Sequence, residues 1–234
     1  MSKYKRIMLK LSGEALSGDK GYGFDEATVL KVAHQVKKIT ENGIQVGIVI
    51  GGGNFWRGRS NEKMDRSRAD QIGMLATVMN CLYVAEIFRT IGMIAAVQTP
   101  FKMGNMTEEF SKESAQKRMN NSEVVFFAGG TGHPFFSTDT AVALRALEVE
   151  ADVILLAKNI DGVYDLDPKE HKHAQKFDKI SLNEVIQKKL KVMDLTAAIM
   201  CLENNMPMLV FYLGEEDSLL NAVDDNISGT FVYI

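Results

Sequence analysis

Cysteine is scarce: Cys81 and Cys201 are the only two in 234 residues. Each sits in an apolar stretch, so both read as buried thiols of a reducing compartment and not as a disulfide. No Cys/His spacing resembles a structural zinc site. His171 and His173 come nearest, but Lys169 and Lys172 lie beside them, and a solvated loop is expected there. Excess positive charge is missing too. The formal net charge of −3 removes the general basic field of a nucleic-acid-binding protein. Small anions remain possible ligands, because local cationic pockets bind them whatever the net charge. No apolar run approaches the ~18 residues of a membrane span. Behind the basic Lys3-Tyr4-Lys5-Arg6 the first apolar run stops at Lys10, too short for a secretory signal. The expectation is a cytoplasmic chain with neither membrane nor nucleic acid as partner. Linkers, repeats and low-complexity tracts are also lacking, so residues 1–234 are expected to form a single domain.

What is present is a globular balance of 46% apolar and 24% charged residues, enough for a core without disulfides or metals. Short β-rich runs alternate with helical patterns. Strands are predicted at Arg6–Leu11, Ile44–Ile50, Met93–Gln98, Glu123–Ala128, Asp152–Ala157, Met208–Tyr212 and Thr230–Tyr233. Several are continuously apolar, as strands covered on both faces are. Helices are predicted near 25–42, 70–91, 108–120, 138–149, 182–190, 194–205 and 215–223. The alternation predicts an α/β fold, a three-layer α/β/α sandwich on a mostly parallel central sheet. The irregular stretch from Asp161 to Lys179 is expected to form a hairpin over the sheet edge.

Glycine clusters follow three strand ends, where open parallel sheets hold their ligands. They are Ser12-Gly13, Gly51-Gly52-Gly53 and Gly129-Gly130-Thr131-Gly132. Glycine there lets backbone N–H groups approach a phosphate. Gly13 to Lys20 has the glycine spacing of a P-loop but not its Gly-Lys-Ser/Thr ending, and Gly51-Gly52-Gly53 lacks the third glycine of a dinucleotide fingerprint. Neither a P-loop kinase nor a Rossmann dehydrogenase fits.

Lys10-Leu11-Ser12-Gly13-Glu14-Ala15-Leu16, Val49 to Asn54, Gly73 to Asn80, Gly130 to Asp139, Asp161-Gly162-Val163-Tyr164 and Lys191-Val192-Met193-Asp194 together resemble bacterial uridylate kinases, within the amino-acid-kinase family. The likeness runs over almost the whole chain. It implies transfer of the γ-phosphate of ATP to UMP in pyrimidine nucleotide biosynthesis, with Mg²⁺ carried by ATP. UMP is expected mainly in the N-terminal part and ATP mainly in the C-terminal part. Lys10, Asp139 and Asp194 are the implied catalytic residues, with Lys10 on the transferring group and Asp194 holding that lysine in position. ATP is implied to meet Lys10, Leu11, Ser12, Gly13, Gly53 and Arg57, with Lys158, Tyr164 and Asp167 bordering its adenine and ribose. UMP is implied to meet Gly52, Asp70 through its ribose, and Thr131, Gly132, His133, Pro134, Phe135, Phe136, Ser137 and Thr138. Gly18, Asp19, Lys20, Gly21, Tyr22 and Gly23 match a segment linked to activation by GTP, and inhibition by UTP is implied with it. Two departures stand out: His133 replaces the family's usual asparagine, and the loop between Arg57 and Asp70 is shortened.

The chemistry fits the parts. A phosphate acceptor with a second pKa near ~6 needs no general base, so a Ser-His or Cys-His pair is not expected. Cations, glycine N–H groups and Mg²⁺ suffice to hold two polyanions in line. Rival readings remain for single residues. Asp70 and Asp139 could be helix caps, Phe135 and Phe136 core packing or a base platform, and Trp56 packing or interface. Rival functions are a carboxylate or carbamate kinase of the same family and a non-catalytic nucleotide sensor. Finally, apolar residues from Ile72 to Phe88 occupy nearly every side of one helix, so residues 70–91 are expected to form a two-fold dimer interface. The resemblance implies three such dimers in a hexamer.

Overall fold

The computed structural model describes residues 3–56, 64–224, 226 and 228–234, with only the backbone of Asp19. In chain order the elements are β1 (Arg6–Leu11), α1 (Gly13–Leu16), a 3₁₀ turn (Gly18–Lys20), α2 (Glu26–Glu41), β2 (Gln45–Ile50) and α3 (Arg66–Thr90). Then follow β3 (Ala95–Thr99), β4 (Glu108–Glu109), α4 (Lys112–Asn120), β5 (Val124–Phe127), α5 (Thr138–Glu148) and β6 (Val153–Lys158). The rest are β7 (Val163–Tyr164), β8 (Lys176–Phe177), β9 (Lys179–Ser181), α6 (Leu182–Gln187), α7 (Leu195–Glu203), β10 (Met208–Tyr212), α8 (Ser218–Val223) and β11 (Thr230–Tyr233).

Nine strands form one sheet in the order β4-β3-β5-β2-β1-β6-β10-β11-β9. Every neighbouring pair is parallel except β10 with β11. The order reverses about β1, with β2 and β5 on one side and β6 and β10 on the other, so a ligand crevice is expected at its C-terminal end.

The apolar runs are continuous because both faces are covered. Ile7, Leu9, Leu11, Val46, Ile48 and Ile50 pack with α2, α3 and α8 in one buried cluster. Met8, Val49, Val125, Phe127, Ile154 and Leu156 pack with α4, α5, α6 and α7 in another. The result is the expected three-layer sandwich. Strand alternation puts Lys10 on the same side as Met8, and therefore on the side of α5.

Local differences from the sequence expectations have local causes. Helix α3 begins at Arg66, before residue 70, because the Asp65 carboxylate accepts from Arg68 N–H at 3.1 Å and caps it. Asp70 is therefore not a cap. Helix α4 begins at Lys112, capped by Ser111, while Glu108–Glu109 join the sheet edge as β4. The hairpin is present as β7 with β8, and β9 is an additional edge strand beside β11. Cys81 and Cys201 are free and buried, and burial pushes both thiols up to about 12.

Helix α3 is long and apolar enough, by length and composition, to cross a membrane. Its apolarity has another use here. Val78, Cys81, Val84, Ala85 and Phe88 are buried against the sheet, while Ile72, Leu75 and Met79 stay 37%, 48% and 50% exposed on another face.

Candidate active site

The first glycine loop closes against the second. A Cβ at Gly13 would lie 2.3 Å from Asn54 Oδ1 and 2.5 Å from the Gly51 carbonyl, so only glycine fits. Asn54 is buried and exchanges side-chain hydrogen bonds with buried Asn80, whose Nδ2 also donates to the Gly51 carbonyl at 2.7 Å. Ser12 caps α1 by accepting from Ala15 N–H at 3.1 Å. These loops, the start of α3 and the Phe135–Thr138 segment enclose a cavity of about 300 Å³. Lys10, Ser12, Gly13, Gly52, Gly53, Asp70, Phe135, Phe136, Ser137 and Thr138 all line it.

Over the cavity mouth, the Asp70 carboxylate accepts from Phe135 N–H at 2.8 Å, and Arg66 Nε lies 3.7 Å from the same oxygen. The Arg66 guanidinium stands 5.0 Å from the centre of the Phe135 ring. Phe135 has φ of 73°, in the left-handed region, and is 59% exposed, with Phe136 49% exposed. Core packing is thereby excluded for both rings. Gly130 lines the cavity, but Thr131, Gly132, His133 and Pro134 do not; His133 is exposed, and its N–H donates to Thr131 Oγ1.

Lys10 Nζ sits 3.2 Å from Asp139 Oδ1, an ion pair whose angle falls short of a hydrogen bond to that buried oxygen. Asp139 does not cap α5. Ser137 does, accepting from Asp139 N–H at 3.0 Å and from Thr140 N–H at 3.3 Å. Asp194 makes no ion pair with Lys10 among the described residues. Its carboxylate accepts from the Ser137 hydroxyl, from Thr140 Oγ1 at 3.0 Å and from Ala197 N–H at 3.0 Å, capping α7. Burial raises its pKa, but the Ser137, Ala197 and Thr140 hydrogen bonds outweigh this and hold it below the usual carboxylate value. Asp194 thus reaches Lys10 only indirectly, by fixing the end of α5 that carries Asp139.

A second cavity of about 290 Å³ lies between the β7–β8 segment and residues 188–192. Lys158, Tyr164 and Asp167 line it. Tyr164 donates to Asp161 at 2.8 Å, which raises the phenol's pKa, and Asp167 accepts from Lys169 N–H at 3.0 Å. Lys158 ends β6, and its Nζ donates to the Val192 carbonyl. Burial lowers the Lys158 pKa; the Asp139 charge opposes this and the Lys10 charge adds to it. The lysine thus shares a cavity wall with Tyr164 and Asp167 and also feels the charges of the Lys10–Asp139 pair.

Leu11 departs from expectation. Its side chain is fully buried in the core and its carbonyl accepts from Gly51 N–H at 2.9 Å, so it lines neither cavity. Arg57 lies outside the described residues. The Gly18–Gly23 segment docks on the second glycine loop, with Asn54 Nδ2 donating to the Gly23 carbonyl at 2.9 Å and the Tyr22 ring edge-on to Phe55 at 5.3 Å.

The amino acid kinase family profile matches residues 5–212. The chain belongs to that family. Two solved structures share its fold closely. One is a UMP kinase from Bacillus anthracis, at 34% identity and a TM-score of 0.94, covering 98% of this chain and 96% of that one. The other is a UMP kinase from Ureaplasma parvum, at 35% identity and a TM-score of 0.94, covering 99% of this chain and all (100%) of that one.

Some wall residues of this amino acid kinase escaped the sequence reading. Glu14, Arg66, Met74 and Thr77 line the first cavity, and so does Trp56, whose Nε1 donates to the Ala69 carbonyl at 2.8 Å. Lys188, Lys189 and Lys191 line the second. Arg66 stands one helical turn before Asp70, and three lysines within four residues precede Val192; both patterns are visible signals. Among the described residues, no group of three or more His, Cys, Asp or Glu could hold a metal ion.

Proposed function

We propose that the chain is a nucleoside monophosphate kinase that transfers the γ-phosphate of ATP to UMP, giving UDP and ADP in pyrimidine nucleotide biosynthesis. The observation that carries this reading is the Lys10–Asp139 pair, 3.2 Å apart, with Lys10 in the wall of one cavity and Lys158 close by in the wall of the other. Kinship with UMP kinases over the full chain supports the choice of acceptor.

In this reading, UMP occupies the first cavity. Its phosphate faces Gly52 and Lys10, and its ribose hydroxyls share the Asp70 carboxylate with Phe135 N–H. ATP occupies the second cavity, with its phosphates reaching Lys10, Ser12, Gly13 and Gly53. One domain thus holds UMP mainly by its N-terminal part and ATP mainly by its C-terminal part. Mg²⁺ arrives on the nucleotide as part of the substrate and neutralises phosphate charge. Asp139 orients Lys10, and Asp194 braces the helix end that carries Asp139.

Activation by GTP through residues 18–23, inhibition by UTP, a cytoplasmic location and a hexamer of dimers complete the proposal. The exposed Ile72, Leu75 and Met79 supply the apolar face for the dimer. Met79→Glu should disrupt assembly, and a wild-type mass of one subunit by light scattering would refute it. The central test is a coupled assay with ATP, offering UMP, CMP, acetylglutamate and carbamate as acceptors, with and without GTP. Phosphorylation of UMP is expected. Turnover only with a carboxylate or carbamate, or with no acceptor at all, would reject the reading.

A further inference from the structure

Asp139 lies among two lysines that open on different sides. Lys10 contributes to the wall of the first cavity and Lys158 to the wall of the second, and no described residue lines both. The two lysines come from neighbouring parallel strands, since Lys10 of β1 registers with Leu156 of β6, two residues before Lys158. Lys158 also registers with Tyr212 of β10, so it ends the strand at the crevice side of the sheet. The two ammonium groups share the Asp139 carboxylate, with the Asp194 carboxylate turned away onto Ser137 and Thr140. Lys158 spends one N–H on the Val192 carbonyl and keeps two to donate. Its charged form is disfavoured by burial and by Lys10, and an incoming polyanion would relieve both costs.

We propose that Lys158 is a second catalytic cation that binds the transferring phosphoryl group from the ATP side, opposite Lys10. The inference rests on the functional reading above and deepens it, moving Lys158 from the base and sugar of ATP to the reacting phosphate. In the step itself, an oxygen of the UMP phosphate bonds to the γ-phosphorus. The bond from that phosphorus to the β-phosphate oxygen breaks, and its electron pair stays on ADP. With a dianionic acceptor no proton moves. Charge shifts from the acceptor oxygen to the leaving oxygen during transfer, and one cation on each side follows it. Lys10 serves the acceptor side and Lys158 the leaving side.

The test compares Lys158→Met and Lys158→Arg with the wild type in steady-state assays at saturating UMP. UMP binding is read separately through the fluorescence of Trp56, the single tryptophan, which lines the first cavity. Lys158→Met should lower kcat about 100-fold, the usual scale for losing one preorganised electrostatic contact to a transition state. Its UMP titration and melting temperature should stay at wild-type values, and Lys158→Arg should recover part of the rate. A kcat within about threefold of wild type, or a loss confined to the KM for ATP, would overturn the proposal in favour of simple ground-state binding. Loss of the UMP titration together with a lowered melting temperature would overturn it in favour of a structural role. A wild-type protein that fails to phosphorylate UMP would instead reject the underlying functional reading.

Discussion

The two cavities are of similar volume but are built differently. The first is assembled from strand ends, a long helix and interlocked glycine loops, with buried Asn54 and Asn80 tying the loops together. The second is bounded largely by the end of β6, the two-residue β7, turns and the segment that follows α6, and its wall carries four lysines beside Asp165, Asp167 and Glu170. Backbone shape defines much of the one, and charged side chains define much of the other. The difference teaches where specificity and where charge are stored. In the proposed reading, the acceptor meets a wall set mainly by backbone shape, and the polyanionic donor meets one set mainly by charge.

The harshest way to break the comparison is to remove the cation at their junction. Lys10→Ala should lower turnover by about 100- to 1000-fold, the cost of losing a positioned charge facing the transition state. The fold should persist, because the Lys10 side chain is not part of either apolar cluster. Circular dichroism and a single-turnover assay would check both halves, and near-normal turnover in folded protein would remove Lys10 from the mechanism.

Asp70→Ala should act on the first cavity alone. Loss of a charged hydrogen-bond acceptor costs ~1.5–3 kcal/mol, roughly tenfold to a hundredfold in UMP affinity. ATP binding should barely change. Quenching of Trp56 against UMP, and calorimetry against ATP, would separate the two, and equal losses would leave Asp70 merely as the anchor of Phe135.

Gly13→Ala sharpens the contrast in stiffness. The added methyl has nowhere to go beside Asn54 and the Gly51 carbonyl, so a destabilisation of ~1–3 kcal/mol is expected. Denaturant unfolding would measure it. Alanine at Lys189, whose side chain sits on the more loosely built wall, should change stability by less than about 0.5 kcal/mol.

The smallest effect concerns acid. The folded-state pKa of Asp194 lies below its ordinary 3.8, so the unfolded chain binds the proton more readily. Its contribution is fully present above that ordinary value and is lost as pH falls through the lower folded one. Asp194→Asn should therefore flatten the stability curve below about pH 4 relative to wild type. An unchanged acid limb would show that the brace carries no differential charge energy.

The strands were readable because runs such as Val153 to Ala157 stay apolar without a break, the mark of cover on both faces. Helix α3 was misplaced at its start because Arg66, Ser67 and Arg68 carry no apolar period, and the cap is a single carboxylate at Asp65. Strands β4 and β9, of two and three residues, are too short to show any period. In the site, Lys10, Gly13, Gly52 and Asp70 were legible because they stand in motifs at strand ends or beside one. The indirect action of Asp194 was not, since it depends on hydroxyls of Ser137 and Thr140 more than fifty residues away in sequence. The grouping of Lys158 with Tyr164 and Asp167 was legible, but its nearness to the charges of Lys10 and Asp139 was not, since it follows from the register of β1 beside β6.

Helix α3 also has a mechanical meaning. Its 25 residues make a rod about 37 Å long. One end presents Asp70, Gly73, Met74 and Thr77 to the first cavity, and near the other end Phe88 is wholly buried, edge-on to Phe126 at 5.1 Å. Because Ala69, Ala76, Val78, Cys81, Val84 and Phe88 are buried along it, the rod is held over most of its length. Against that fixed wall the exposed Phe135–Phe136 turn, tied to the rod by the Asp70 carboxylate, is the part with the fewest packing constraints to hold it.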